Sequence, residues 1–333
     1  MIKIELSTDV RKEIEKIFLK DLFGTDPNEQ GQGKFVKILN KNNSRQLLQR
    51  DYIDLYNYLY DEDKVLKTEA VKELLLADRT KMQALIDRFG SYNPKNSQEK
   101  SLADRLLKVI FQYENFSQRV VVHKILSKIN ITVCPYCNRS YIMTLKNRKV
   151  RPQLDHYYPK SKYPYLALSL YNLIPSCSIC NLAKCDIDTR KDAILYPYEE
   201  EFGEKIVFAT DIRDMPDDQF VKYMRGESNE WKVRINNPDE ILEEQVSNQD
   251  DVLHLTDLYN EHKDYIRDIF KSFYINTDKR VEDLLIQFPN IFSTKEEVYS
   301  LMFMNDIRKE NWGKRPLAKL SHDIYEEIRK LRQ

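Results

Sequence analysis

The five cysteines of this 333-residue chain fall in one stretch, as Cys134-x-x-Cys137, Cys177-x-x-Cys180 and a remaining Cys185. Two such knuckles offer four thiolates, the complement of a tetrahedral zinc ion. In a reducing compartment the pattern signals zinc rather than disulfides. Residues 138 to 176 separate the knuckles, more than the roughly 15–20 residues of a simple zinc ribbon. Zinc is therefore expected to clamp both ends of an insert too small to build a core of its own. Within that insert lies LDHYYPKS, where Asp155-His156 closes a short strand-like run that Tyr157-Tyr158-Pro159 then breaks. Asn172 follows in YNLIPSC, and Asn181 and Lys184 follow the second knuckle in CSICNLAK.

The elements around these residues must position them. Residues 1–130 read as a helical region. Thr8 is placed to cap a helix with apolar residues at Val10, Ile14, Ile17, Phe18 and Leu22, and further helices are predicted over Arg45–Tyr60, Thr68–Leu76, Thr80–Phe89 and Ser101–Ile129, the last with a break near Asn115. The polar stretch DPNEQGQGK reads as a mobile loop. Residues 131–200 hold the knuckles, and within them SYIMTL and RPQLD bracket a hairpin turn at Lys146-Asn147-Arg148. Residues 201–333 read as mainly helical, with strands at Ile206–Thr210 and Trp231–Ile235, a capping box at Ser293 and Glu296, and a last helix from about Ser321. The expected class is α+β, mainly α.

Charged residues make up 32% and hydrophobic ones 41% of the chain, a globular composition. No run approaches the roughly 18 apolar residues of a membrane span, and the N-terminal residues lack the apolar core of a secretory signal. The expected location is the cytoplasm, with no membrane partner. Fifty-three basic residues balance 53 acidic ones, so net charge gives no hint of nucleic acid. Locally the balance differs. From Arg139 to Lys184 the basic residues are Arg139, Lys146, Arg148, Lys149, Arg151, Lys160, Lys162 and Lys184, against a single acid, Asp155. Such an island suits a polyanion, although a solvated hairpin gives the same signature.

The ordered set CPYC, LDHYYPKS, YNLIPSC, CNLAK resembles the HNH endonucleases, the zinc-stapled branch of the ββα-metal (His-Me finger) nucleases. The resemblance covers about 60 residues, from Cys134 to about Pro197. It implies a central ββα-metal module flanked by helical regions, with Cys134, Cys137, Cys177 and Cys180 holding structural Zn²⁺. It further implies that Asp155 and Asn181 hold a catalytic Mg²⁺ or Mn²⁺, that His156 is the general base, and that Asn172 fixes the loop that orients it. Lys184 matches a basic residue placed to meet a phosphate. Nucleic-acid contacts are expected from Arg139, Arg148, Lys149, Arg151, Lys160 and Lys184.

The chemistry of these side chains agrees. Phosphodiester hydrolysis needs a deprotonated water, cover for the charge that develops on phosphorus, and help for the leaving oxygen. A neutral imidazole takes the water's proton. A hard divalent cation held by carboxylate and amide oxygens supplies the rest. Neighbours on a strand point to opposite faces, so the strand must end or turn at Asp155-His156 for both to serve one site.

The resulting expectation is hydrolysis of nucleic acid, with DNA favoured over RNA. The alternative is a non-catalytic zinc module that binds nucleic acid or a protein. His156 could also be a spare zinc ligand, although four thiolates already fill such a site. Cys185 reads as a bystander, and His123, His254, His262 and His322 as packing or surface residues. Tyr163-Pro164-Tyr165, Tyr196-Pro197-Tyr198 and the late Arg315-Pro316-Leu317-Ala318-Lys319-Leu320 resemble prokaryotic HNH proteins of anti-phage defence, including the HNH subunits of Septu-type and retron-linked systems. Those subunits commonly carry Glu-His where this chain has Asp155-His156. They often work beside an ATPase, and this chain has no phosphate loop. An ATPase would therefore be a separate partner, and the flanks would serve it or a second copy of the chain.

Overall fold

A computed structural model describes residues 1–24, 33–145, 150–212 and 215–331. The predicted mobile loop and the predicted turn at Lys146-Asn147-Arg148 lie outside the described residues, apart from Gly33 and Lys34 at the end of the loop stretch. The chain is mainly helical with two small antiparallel sheets, and it divides into two compact units. One unit comprises residues 4–131 and 142–193, and the other residues 1–3, 132–141 and 194–333. The stretch 131–200 thus contributes to both.

In the first unit, helix Thr8–Leu22 buries Ile14, Phe18 and Leu22 against Val120–Ile129, following the spacing of its apolar residues. Its cap is Ser7 rather than Thr8, since the Ser7 hydroxyl accepts from Val10 N. Tyr52 leaves the helical conformation, with φ −143° and ψ 55°, and breaks the predicted Arg45–Tyr60 helix into Asn42–Asp51 and Ile53–Leu59. The long helix predicted to Ile129 breaks more than once. Ser97–Arg105 runs into a π-helical turn, Leu106–Phe111, and Gln112 is left-handed with φ 45° before the short helix Tyr113–Ser117. Such turns insert a residue and redirect a helix face, and they recur at functional sites.

The strand pairing differs from the expected one. QLDH forms strand β1 (Gln153–His156), and its antiparallel partner is β2 (Leu173–Ser176), not SYIMTL. Burial explains the choice. All four residues of β2 are buried, whereas Tyr141, Met143 and Leu145 stay 54, 42 and 44% exposed. A strand whose apolar side chains remain in water has little to drive its pairing. The helix Ser178–Lys184 follows β2 directly, giving a strand–strand–helix order with the 157–172 loop between the strands.

In the second unit, β3 (Val207–Thr210) pairs with β4 (Val233–Asn236), close to both predicted strands. Helix Ala318–Leu331 packs on β3, and its Asp323 and Glu327 accept from Phe208 N and Thr210 N. The predicted capping box is shifted by one residue. Thr294 caps Lys295–Met302 by accepting from Glu297 N, while Glu297 reaches back to Ser293 N. No helix among the described residues is long and apolar enough to cross a membrane.

Candidate active site and four-cysteine cluster

Cys134, Cys137, Cys177 and Cys180 are all buried, and their sulfurs lie within 4.8 Å of one another. Tetrahedral zinc with Zn–S bonds of about 2.3 Å places its sulfurs about 3.8 Å apart, so the four thiols fit that ion. Each knuckle also turns a backbone N–H toward sulfur. Arg139 N donates to Cys137 Sγ at 3.4 Å, and Cys180 N to Cys177 Sγ at 3.5 Å. Cys177 thereby caps the helix that carries Asn181 and Lys184. An N–H donor and a helix N-terminus both favour thiolate, the form zinc binds. Cys185 is exposed and is not one of the four.

The first knuckle is gripped from far along the chain. Asn138, fully buried with φ 49°, donates to Trp312 O at 2.8 Å and accepts from Lys319 N at 3.1 Å. Its own carbonyl accepts from Leu317 N at 2.6 Å. The Tyr259 hydroxyl donates to Cys137 O at 2.7 Å, and Gln249 Nε2 to Tyr136 O at 3.3 Å. The Arg315–Leu320 motif noticed in the sequence therefore braces CPYCN.

Asp155, His156 and Asn181 line one cleft of about 620 Å³, together with Tyr113, Gln153, Lys160 and Ser178. β1 ends at His156, which is why two successive residues can face the same cleft. His156 is 7% exposed, and its Nε2 lies 3.1 Å from Ala167 O. A carbonyl only accepts, so Nε2 carries the proton and Nδ1 carries the lone pair. Burial, helped by the charges of Lys160 and Lys184, lowers the His156 pKa to about 3, opposed by the bond to Ala167. Near neutral pH the imidazole is uncharged. The Tyr113 ring stands edge-on to it at 4.3 Å, and the Tyr113 hydroxyl donates to Leu154 O at 3.3 Å.

Asn172 is fully buried and ties down the loop between the strands. Its Nδ2 donates to Tyr158 O and Leu166 O, each at 3.1 Å, and its Oδ1 accepts from Tyr158 N at 2.8 Å. Ala167, whose carbonyl fixes His156, belongs to the same loop. Asn181 Nδ2 donates to Gln153 Oε1 at 2.7 Å, which turns the amide oxygen away from Gln153. A carboxylate and an amide oxygen on one cleft are a donor set that suits a hard divalent cation.

Lys184 is not where a phosphate contact would be. It is 0% exposed, and its Nζ donates to His156 O at 2.6 Å and lies 3.3 and 3.2 Å from the two carboxylate oxygens of Asp155. Other members of the basic island also have protein partners. Arg139 donates to His262 Nε2, Arg151 to Pro152 O and Ser117 O, Lys160 to Glu114, and Lys162 faces Asp188. Arg148 and Lys149 lie outside the described residues, as does Lys146.

Sequence reasoning missed Tyr113 and Gln153. Gln153 carried a signal, because it shares a strand face with Asp155 two residues on. Tyr113 carried none, since it lies outside the stretch in which the motifs fall.

The fold and its cluster define a mainly helical α+β protein with a four-cysteine site compatible with structural zinc. Compared with curated proteins, the chain is similar to the Septu protein PtuB of Bacillus thuringiensis, 34% identical over 64 residues. That alignment covers 19% of this chain and only 23% of the relative's length. No family model and no solved structure matches.

Proposed function

We propose that the chain is a metal-dependent HNH-type endonuclease that hydrolyses phosphodiester bonds in nucleic acid, DNA in preference to RNA. The observation that carries this reading is the state of His156. With Nε2 committed to Ala167 O, its Nδ1 offers a lone pair in the cleft that Asp155 and Asn181 also line.

In this reading His156 takes the proton of the attacking water, and the Asn172-tied loop holds the imidazole at a fixed angle. Asp155 and Asn181 would hold a Mg²⁺ or Mn²⁺ ion, which when bound supplies positive charge to the phosphate and the leaving oxygen. The strand–strand–helix order β1, β2, Ser178–Lys184 supports this reading, with Leu173–Ser176 in place of the expected SYIMTL as the second strand, and the four thiols would clamp it through Zn²⁺. The partial similarity to a Septu protein supports a place in anti-phage defence, beside a separate partner such as an ATPase.

Incubating the full chain with plasmid, linear duplex, single strands and tRNA, with and without Mg²⁺ or Mn²⁺, tests the reading. Divalent-dependent cleavage that disappears in His156→Ala is the expected result. Cleavage that persists in His156→Ala would overturn the assignment of the base. Binding without turnover on every substrate would favour the non-catalytic zinc module.

A further inference from the structure

A lysine with 0% exposure is rare, because burying an ammonium costs several kcal/mol unless partners replace its water. Lys184 reaches its position from the last turn of Ser178–Lys184, and its Nζ meets the strand end that carries the candidate site. It bonds the backbone carbonyl of His156 and both carboxylate oxygens of Asp155. We propose that Lys184 is the resident counter-ion of the Asp155 site, standing in for a divalent cation and competing with it. This inference rests on the reading of Asp155 as a metal ligand.

Asp155 is 3% exposed, so its negative charge requires a cation nearby whether or not a metal is present. Lys184 meets that need in the metal-free chain and holds the Asp155-His156 corner against the helix. A divalent cation arriving at the carboxylate then finds its charge already offset by the ammonium, whose like charge a few ångströms away repels the newcomer. Its affinity is lowered accordingly. The site therefore fills only at high divalent concentration, or when bound nucleic acid adds phosphate oxygens to the ligand set. Lys184 acts through Asp155 and His156 and is a positioning residue, not a catalytic one.

The experiment uses the full-length chain saturated with Zn²⁺ and titrates Mn²⁺, with free Mn²⁺ followed by its electron paramagnetic resonance signal. Lys184→Met keeps the length of the side chain and removes its charge. It should bind Mn²⁺ at least roughly tenfold tighter than the parent, and Asp155→Asn should abolish that binding. Unchanged or weaker Mn²⁺ binding in Lys184→Met overturns the counter-ion role while leaving the metal-site reading intact. Failure of both the parent and Lys184→Met to bind Mn²⁺ overturns both. Should Lys184→Met not fold, thermal unfolding of Asp155→Asn/Lys184→Met decides the matter. A double variant that regains a cooperative melt supports the coupled pair, and one that stays unfolded like Lys184→Met overturns it.

Discussion

Among the described residues, two lysine–aspartate pairs have both side chains buried, and they are built differently. Lys319 and Asp323 sit one turn apart on Ala318–Leu331, with Nζ 2.5 and 2.6 Å from the carboxylate oxygens. Asp323 also accepts from Phe208 N, and Lys319 lies over the Trp312 ring. Burial pushes the Asp323 carboxyl up and the Lys319 ammonium down, and their mutual attraction opposes both shifts. Lys184 and Asp155 are joined across helix and strand, with contacts of 3.2 to 3.3 Å. The local pair forms with its helix. The non-local pair needs the sheet, the helix and the cap at Cys177 to be in place. Asp155 and Asp323 each border a cleft, so the length and locality of the contacts separate the two pairs. The short intrahelical contacts hold Asp323 tightly, whereas the longer contacts between elements leave Asp155 able to change partners.

The largest expected effect separates the two regions outright. Cys177→Ser removes one of the four thiolates while keeping a hydroxyl able to cap Ser178–Lys184, and it should abolish tight zinc binding, which contributes on the order of 10 kcal/mol to folding in small zinc modules. Hydrogen exchange should then show the amides of Ser178–Lys184 losing protection while those of Ala318–Leu331 keep more of theirs. Metal analysis that finds one zinc per chain in Cys177→Ser would contradict this. Because Tyr259 and residues 312–319 hold the first knuckle from outside residues 131–200, an isolated 131–200 fragment should hold zinc less tightly than the full chain.

Next in size is the chemistry of the cleft. His156→Ala should lower single-turnover cleavage by about 10²–10⁴-fold, the usual worth of a general base. The substitution also leaves Ala167 O without its donor, so a modest fall in Tm should accompany it, with zinc content unchanged.

The comparison itself is sharpened by matched substitutions. Lys319→Met and Lys184→Met each leave a buried carboxylate without its cation, and each should cost about 3–5 kcal/mol in metal-free unfolding. Added Mn²⁺ should raise the Tm of Lys184→Met but not that of Lys319→Met. Equal response of both variants would remove the distinction between the pairs.

Smaller effects test the wall of the cleft. Tyr113→Phe keeps the ring against His156 and loses only a 3.3 Å hydrogen bond, so cleavage should change less than about threefold. Tyr113→Ala removes the ring and should slow cleavage about tenfold while moving the acid limb of its pH profile upward, because a better hydrated imidazole gains a proton more readily. Smallest of all, Cys185→Ser should shift stability by no more than about 0.5 kcal/mol, since the exposed thiol is outside the cluster.

Much of the site's membership was legible in the residues. The spacing of four cysteines announced their cluster, because a tetrahedral ion constrains ligand count and knuckle geometry whatever surrounds it. Asp155-His156 before Tyr157-Tyr158-Pro159 announced a strand end, because the break relaxes the alternation that would otherwise send the two side chains apart. Helix positions followed from the apolar periodicity of segments such as Thr8–Leu22, and their caps came within one residue.

The tertiary structure decided what those residues do to one another. The partner of β1 was settled by which apolar strand could be buried, a property of the assembled unit rather than of SYIMTL or LIPS alone. Lys184 was expected to meet a phosphate because it matches a basic residue of the HNH pattern. Only the packing of its helix on β1 turned it inward to Asp155. Tyr113 reaches His156 only because the π-helical turn and the left-handed Gln112 redirect the chain just before it. Local rules act over three or four residues, but these contacts join residues about 30 to 45 apart in the chain, so they exist only once burial has chosen which surfaces meet.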